Sequence, residues 1–334
     1  MHEHLLHIKP LMDDGLNSCS HFLIASVANW LNCGYELMYA DAWGFRFAPE
    51  GTKGHGIWQR GDLGPRIHYE YVAQPLTLLE RFHGLQVKEV RDSTLNATLT
   101  VFKEELDKQM PVLIMMDTYF LPWLDKFYQQ VHSSHAILVI GMDDNGDLFC
   151  NDTRPFFQSP TFGGRLTRDF FVKGYHNTYS TFTPVPAEMC SLGSCTRIVK
   201  HTALKMISKS DSSASPVNAI KEFANHIEHN PVSLSDLEDF DGGNGILFRG
   251  IRNVIRDRIN FSKTLAYIGH TFGSPDYMEM AGTFKLPIEN WENFKAVLYR
   301  SYLSGTTNEK RGKLASILYE NADIEEKLAH CMLK

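Results

Sequence analysis

The pattern of apolar and polar positions predicts β-strands in the first two thirds of the chain. Residues 112–116 and 136–140 are uninterrupted apolar runs bounded by turn residues, and both are too short for helices. Residues 132–152 have the layout of a β-hairpin, with two apolar runs around a turn of Asp, Asn and Gly. We therefore expect buried strands here, with at least one antiparallel pair.

A helix near the N-terminus is predicted by both its ends and its interior. Residues 17–34 offer Asn17 or Ser18 as the N-cap and Gly34 as the C-terminal stop. The residues between are apolar on nearly every side. Such a helix should be central and buried.

The last third of the chain has helical spacing. Ser215 and Pro216 form a cap and first turn, and they are followed by an apolar stripe at Ile220, Phe223, Ala224 and Ile227. Windows 250–272, 289–304 and 309–332 are also typical of helices, and the polar run 208–216 reads as a linker. The pattern predicts an α+β domain at 1–210 and an all-α domain at 211–334.

Composition narrows the functional class. The 334 residues are 43% apolar and 22% charged, which excludes collagen-like and wholly disordered chains. A net charge of -6 argues against a nucleic-acid binder. No run approaches a membrane span and the first residues lack a signal-peptide layout, so we expect a cytoplasmic protein whose six cysteines are free thiols.

Cys19 is the cysteine whose position favours reactivity. It falls in the first turn of the predicted helix, where free N–H groups and the helix dipole stabilise a thiolate. Cys33 lies at the opposite end of that helix, where the dipole disfavours one. Cys150 lies mid-strand and is expected to be a packed core thiol.

A thiol nucleophile needs a base and a group that orients the base, and the predicted hairpin supplies His135 and Asp152. A two-residue turn at Asn145 and Gly146 would put Asp152 opposite Val139, about 13 Å along the strand from His135. A four-residue loop, 142–145, pairs His135 with Asp152 directly, and we choose this register. His135 is preferred to His132 because the apolar strand fixes it.

The order of cysteine on a helix, histidine opening a strand and a later Asp resembles the papain-like cysteine enzymes. The chain more closely resembles the N-terminal domain of the butirosin biosynthesis protein H family. The resemblance rests on 17–19, 111–122 with its Asp-x-Tyr-x-Leu-Pro element, 135–143 and 151–152. The helical part, with 242–245, 258–265 and Trp291, looks like the domain that often follows in that family.

The resemblance implies a papain-like core, in which the N-terminal helix packs against an antiparallel sheet. It also implies an acyltransferase that moves an acyl, aminoacyl or peptidyl group from a carrier protein's phosphopantetheine thioester to an amine, in antibiotic or other secondary-metabolite biosynthesis. Cys19 would be the nucleophile, His135 the base and Asp152 the orienting group. No cofactor bound by the protein itself is implied.

The oxyanion donor departs from the papain-like pattern. Papain-like hydrolases carry a Gln six residues before the cysteine, and this chain has Asp13 there, whose charge would repel an oxyanion. We expect the backbone N–H of Cys19, with the Asn17 amide, to serve instead. Asp117 and Tyr119 are candidate substrate-binding residues, and a turn-capping role for Asp117 is the alternative.

Other readings remain open at this point. The same triad with water as acceptor would make a cysteine peptidase or thioesterase, and a third possibility is a catalytically silent binding module. Histidines near the N-terminus and the pair Cys190 and Cys195 lack the ligand spacing of a metal site. We expect a carrier protein and a small amine as partners, and neither nucleic acid nor a membrane. Whether the chain forms a homodimer stays open.

Overall fold

The structure, a computed structural model, describes residues 5–11, 18–48, 62–68, 74–92, 94–152, 164–209, 214–238 and 245–334. Its strands are β1 (Arg46–Phe47), β2 (Ile67–His68), β3 (Leu85–Val90), β4 (Val112–Asp117), β5 (Ser134–Met142), β6 (Leu148–Asn151), β7 (Gly164–Leu166) and β8 (Tyr175–Pro184). Its helices are α1 (Cys19–Trp30), α2 (Pro75–His83), α3 (Leu95–Asp107), α4 (Arg168–Gly174), α5 (Leu192–Ile207), α6 (Pro216–His229), α7 (Leu234–Leu237), α8 (Ile246–Phe272), α9 (Pro275–Thr283), α10 (Lys285–Leu303) and α11 (Arg311–Leu333).

The chain divides into two compact units. The first comprises Met1–Tyr35 and Leu79–Glu188, and the second comprises Glu36–Leu78 and Met189–Lys334. The first contains a six-stranded sheet in the order β3-β8-β4-β5-β6-β7, in which every neighbouring pair is antiparallel. The expected α+β class with an antiparallel sheet and a C-terminal helical region is confirmed.

Helix α1 packs against the middle of this sheet, on β5 and β4. Its central residues, from Leu23 to Ala28, are almost fully buried, as their apolar character predicts. Ser18 is the N-cap, and its hydroxyl accepts a hydrogen bond from the backbone N–H of His21 over 3.1 Å. The helix therefore begins at the expected residue and places Cys19 at its first position.

The end of α1 corrects the sequence prediction. The helix ends at Trp30, and Asn32 takes the left-handed conformation just past its end, with φ 57°. Gly34 also has a positive φ, 74°, but lies two residues further on. Cys33 N–H then donates to Ala28 O and Asn32 N–H to Asn29 O, which is the Schellman pattern. Asn, whose short side chain tolerates this conformation, does here what was expected of glycine.

The second unit is built mainly of helices. The predicted start of α6 is confirmed, since Ser215 caps it, Pro216 occupies its first position and the predicted apolar stripe is buried. Helix α11 packs against α5, α6 and α10, and α8 packs against α9 and α10. Within the described residues, no helix is long and apolar enough to cross a membrane.

The domain boundary expected at residue 210 stays a prediction, and the two compact units group the chain in another way. Helix α5 belongs to the second unit because its buried stripe, which includes Cys195, Val199 and Met206, packs on α11 and α6. The segment Glu36–Leu78 also belongs there, since its buried Trp43 donates a hydrogen bond to Glu325 over 2.8 Å. Contacts between such distant residues leave no local signal in the sequence.

Candidate active site

Cys19 and His135 meet where the start of α1 lies over the start of β5. His135 is the second residue of β5 and only 1% of its surface is exposed, whereas Cys19 is partly exposed. The backbone N–H of the next residue, Ala136, donates to the Cys19 sulfur over 3.3 Å. The thiol and the His135 imidazole are close enough for each to shift the pKa of the other.

Asp152 holds the other side of the imidazole. Its Oδ1 accepts a hydrogen bond from His135 Nε2 over 2.8 Å, and its exposed fraction is also 1%. With Nε2 so engaged, Nδ1 is the ring nitrogen left for the Cys19 sulfur. The expected hydrogen bond between Asp152 and His135 is confirmed.

The register that brings His135 and Asp152 together is not the predicted one. In the hairpin, Leu138 lies opposite Asn151 and Val139 opposite Cys150, followed by a bulge before Gly141. Extending this register by one residue would put Asp152 opposite Ile137, midway between the two registers considered. Both side chains still lie on one face, and a diagonal pair is within side-chain reach.

The wrong register follows from the loop. Strand β5 continues to Met142, so the loop comprises residues 143–147 and not the predicted 142–145. The Asp143 carboxylate closes it by accepting hydrogen bonds from the backbone N–H groups of Asn145 and Asp147, each over 2.9 Å. An Asp that caps its own loop in this way shifts the strand pairing by a residue or two.

Trp123 is a residue of this site that the sequence analysis missed. Its indole N–H donates to Asp152 Oδ2 over 2.9 Å, so each oxygen of the carboxylate has a partner. The indole packs on Gly164, where an added Cβ would lie 2.7 Å from a ring carbon. The only available signal was its position just after the Asp-x-Tyr-x-Leu-Pro element.

The charges at this site favour a thiolate beside an imidazolium. Burial raises the pKa of the Cys19 thiol, but the His135 charge, its hydrogen bond and the Ala136 N–H outweigh burial and hold that pKa below its ordinary value of 9.0. Burial lowers the pKa of His135, but Asp152 and Cys19 together raise it above its ordinary value. The pair can therefore hold its proton on the imidazole.

For two other cysteines of this unit, the thiol pKa shifts in the opposite direction. Burial raises the pKa of the Cys33 thiol. Burial, together with the Asp152 charge, also raises the pKa of Cys150, which is 4% exposed. The thiol pKa is thus lowered at Cys19 and raised at both other cysteines. For Cys19 and Cys33, which lie at opposite ends of α1, these are the directions that their helix positions predict.

Asp117 and Tyr119 form a neighbouring cluster with His132. Asp117 ends β4, and its carboxylate accepts one hydrogen bond from the Tyr119 backbone N–H over 3.0 Å and another from His132 Nδ1 over 2.6 Å. The Tyr119 and His132 rings stack in parallel with centroids 4.3 Å apart. Asp117 therefore caps a turn, as the alternative reading had it, and also binds His132.

The expected oxyanion residues cannot all be placed. Asn17 and Asp13 lie outside the described residues, whereas Cys19, whose backbone N–H was the other expected donor, is described. Among the described residues, no group of three or more His, Cys, Asp or Glu side chains has the geometry of a metal site.

The comparisons with known proteins point to one family. Residues 54–153 match the family model described as butirosin biosynthesis protein H, N-terminal. No curated protein matches the chain. The matched segment contains His135, Asp152 and Trp123 and begins after Cys19. The resemblance seen in the sequence is confirmed, and over residues 54–153 the chain matches the N-terminal region of the butirosin biosynthesis protein H family.

Proposed function

We propose that this chain is a cysteine-dependent acyltransferase with a papain-like core. It would move an acyl, aminoacyl or peptidyl group from a carrier-protein thioester to an amine, through an acyl-enzyme on Cys19. One observation carries the proposal: a thiol at a helix N-terminus accepts a hydrogen bond from the backbone N–H that follows His135, and a buried carboxylate holds the His135 imidazole beside it. The family match supports a role in antibiotic biosynthesis, since its description names butirosin biosynthesis.

The first half-reaction exchanges one thioester for another. The Cys19 thiolate attacks the carbonyl carbon of the carrier's thioester, a bond forms from sulfur to carbon, and the bond to the phosphopantetheine sulfur breaks. The His135 imidazolium gives its proton to the departing sulfur. Because a thioester replaces a thioester, this step is close to balanced in free energy.

The second half-reaction forms the amide. The amine nitrogen attacks the acyl carbon, neutral His135 accepts the proton that the nitrogen loses, and the bond to Cys19 breaks to return the thiolate. Asp152 keeps Nε2 protonated so that Nδ1 can accept and return the proton. The Trp123 indole N–H donates to the other oxygen of that carboxylate and so fixes its orientation.

Substrate recognition is proposed for the residues around this triad. The Cys19 backbone N–H and the Asn17 amide would stabilise the oxyanion. Asp117, with Tyr119 beside it, would bind a cationic acceptor amine. Since the Asp117 carboxylate is already bound to His132, an incoming amine would exchange with that imidazole. The carrier protein supplies the phosphopantetheine arm, and the enzyme needs no bound cofactor of its own.

The test uses a panel of N-acetylcysteamine thioesters with a simple primary amine. We expect an acyl adduct on Cys19 in intact and peptide mass spectra, followed by amide formation when the amine is added. Cys19→Ala should lose both, and the matched variant Cys33→Ala, at the other end of the same helix, should keep both.

Two results would contradict the proposal. Turnover that persists in Cys19→Ala would remove Cys19 as the nucleophile. A Cys19 adduct that yields free acid with every amine tested would favour the thioesterase or peptidase reading over acyl transfer.

A further inference from the structure

A second pair of cysteines, Cys190 and Cys195, lies at the start of α5 in the second unit. Ser191 is the N-cap of this helix and forms a capping box with Ser194, in which each side chain accepts a hydrogen bond from the other residue's backbone N–H. Cys190 precedes the cap and Cys195 is the fourth helical residue. These are the two positions of a hydrophobic staple, which the capping box brings together.

The staple puts the two sulfur atoms in direct contact. Cys190 Sγ and Cys195 Sγ are 3.1 Å apart, and both thiols are free. A disulfide has a sulfur separation of roughly 2.05 Å, so the atoms would need to approach by about 1 Å to bond. An ordinary staple uses apolar side chains that can only pack, whereas this one is made of the single residue type that can also join covalently.

The two thiols differ in access. Cys195 is 1% exposed, and burial raises the pKa of its thiol, whereas Cys190 is partly exposed on the connection that enters the helix. A reagent from solution would therefore meet Cys190 first. Cys195 stands behind it at contact distance, which is the arrangement of an attacking and a resolving thiol.

We propose that Cys190 and Cys195 form a redox-active dithiol that low-molecular-weight disulfides of the glutathione type oxidise. The Cys190 thiolate attacks one sulfur of the small disulfide, whose sulfur–sulfur bond breaks and releases one small thiol after protonation. The Cys195 sulfur then attacks Cys190 Sγ and expels the second small thiolate, which takes up the proton that Cys195 loses. One small disulfide is reduced to two thiols, and one protein disulfide forms.

Oxidation would lock the entry to α5. The disulfide would close a ring around the capping box and fix the first turn of a helix that is also held by a hydrogen bond from the Tyr277 hydroxyl to Thr196 over 2.9 Å. Met189, next to Cys190, is the residue at which the chain returns to the second unit after Leu79–Glu188. The modification would thus act at the point where the chain re-enters the second unit.

The experiment equilibrates the full chain in glutathione buffers of increasing oxidation, followed by denaturing alkylation and peptide mapping. Cys190 and Cys195 fall on one tryptic peptide, residues 174–197. We expect this peptide to become two hydrogen atoms lighter and to lose its alkylation, and oxidised protein to melt at a higher temperature than reduced protein. Cys195→Ala should instead accumulate a glutathione adduct on Cys190, and Cys190→Ser should leave Cys195 reduced.

Two outcomes would overturn the proposal. One is full alkylation of both cysteines in the wild-type chain at the most oxidising ratio, which would leave only a packing staple. The other is a stable glutathione adduct on wild-type Cys190 in place of the internal disulfide, which would mean that Cys195 does not resolve it. The wild-type mapping decides both points even if a variant fails to fold.

Discussion

At the scale of single residues, the geometry of the candidate site depends on the hydrogen bonds that hold both oxygens of the Asp152 carboxylate. Asp152 is almost fully buried, with His135 on one oxygen and Trp123 on the other. A buried carboxylate with a missing partner would turn toward another donor or lose its charge. The indole N–H therefore fixes which oxygen faces the imidazole, and through it the orientation of the ring toward Cys19.

Trp123→Phe tests this arrangement because it keeps an aromatic ring and removes the N–H donor. We expect the kcat for acyl transfer to fall about tenfold, which corresponds to roughly 1.4 kcal/mol and lies at the lower end for a hydrogen bond to a charged group. Thioester turnover and circular dichroism are the measurements. Trp30→Phe, at the far end of α1, is the matched control. Unchanged kcat in Trp123→Phe would show that the bond to Asp152 has no catalytic consequence.

At the scale of elements, helix ends and strand interiors were readable from sequence and pairings were not. Ser18 and Ser215 cap the helices they were expected to cap, because an N-cap is a contact between residues three apart. The hairpin register depended on the Asp143 loop and a bulge near Gly141, which alternation of apolar residues does not reveal. His135 and Asp152 still meet because each register considered keeps them on one face.

The end of α1 gives a prediction at this scale. Asn32 has φ 57°, which costs most residues about 1 kcal/mol and costs glycine little. Asn32→Ala should therefore lower the melting temperature of the chain, and Asn32→Gly should leave it unchanged or raise it slightly. Thermal unfolding followed by circular dichroism measures both. Equal losses in the two variants would contradict a left-handed requirement at this position.

At the scale of the whole molecule, the second unit is organised around a buried acid. The Glu325 carboxylate accepts hydrogen bonds from Trp43, Trp291, Asn321 and a two-pronged Arg258 guanidinium, and neither charged side chain is exposed. The sequence singled out the region of Arg258 and Trp291 but gave no sign that they share Glu325. Arg258 and Trp291 lie 67 and 34 positions before Glu325, a separation that local patterns cannot bridge. For the same reason the sequence gives no sign that segment Glu36–Leu78 groups with residues 189–334.

Glu325→Gln should strongly destabilise the protein. It removes the negative charge and leaves the Arg258 guanidinium buried without a counter-ion, which costs roughly 3–5 kcal/mol in comparable sites. Glu326→Gln is the matched control, since that neighbouring carboxylate is 41% exposed and pairs with Lys221 at the surface. Urea unfolding should separate the two variants clearly. Similar unfolding midpoints for both would contradict a central role for Glu325.

The thiolate–imidazolium pair can be tested by the pH dependence of Cys19 alkylation by iodoacetamide, from about pH 5 to about pH 9. The protein used carries Cys331→Ala, because Cys331 is exposed and its thiol would otherwise react with the reagent. Because the pKa of Cys19 is lowered and that of His135 is raised, the thiolate should persist to lower pH than an ordinary thiol pKa of 9.0 allows, so alkylation should already be fast on the acidic side of pH 9. His135→Asn should abolish that acidic reactivity. Alkylation that rises only toward pH 9 in both proteins would contradict the thiolate–imidazolium pair and the acyl-transfer chemistry built on it.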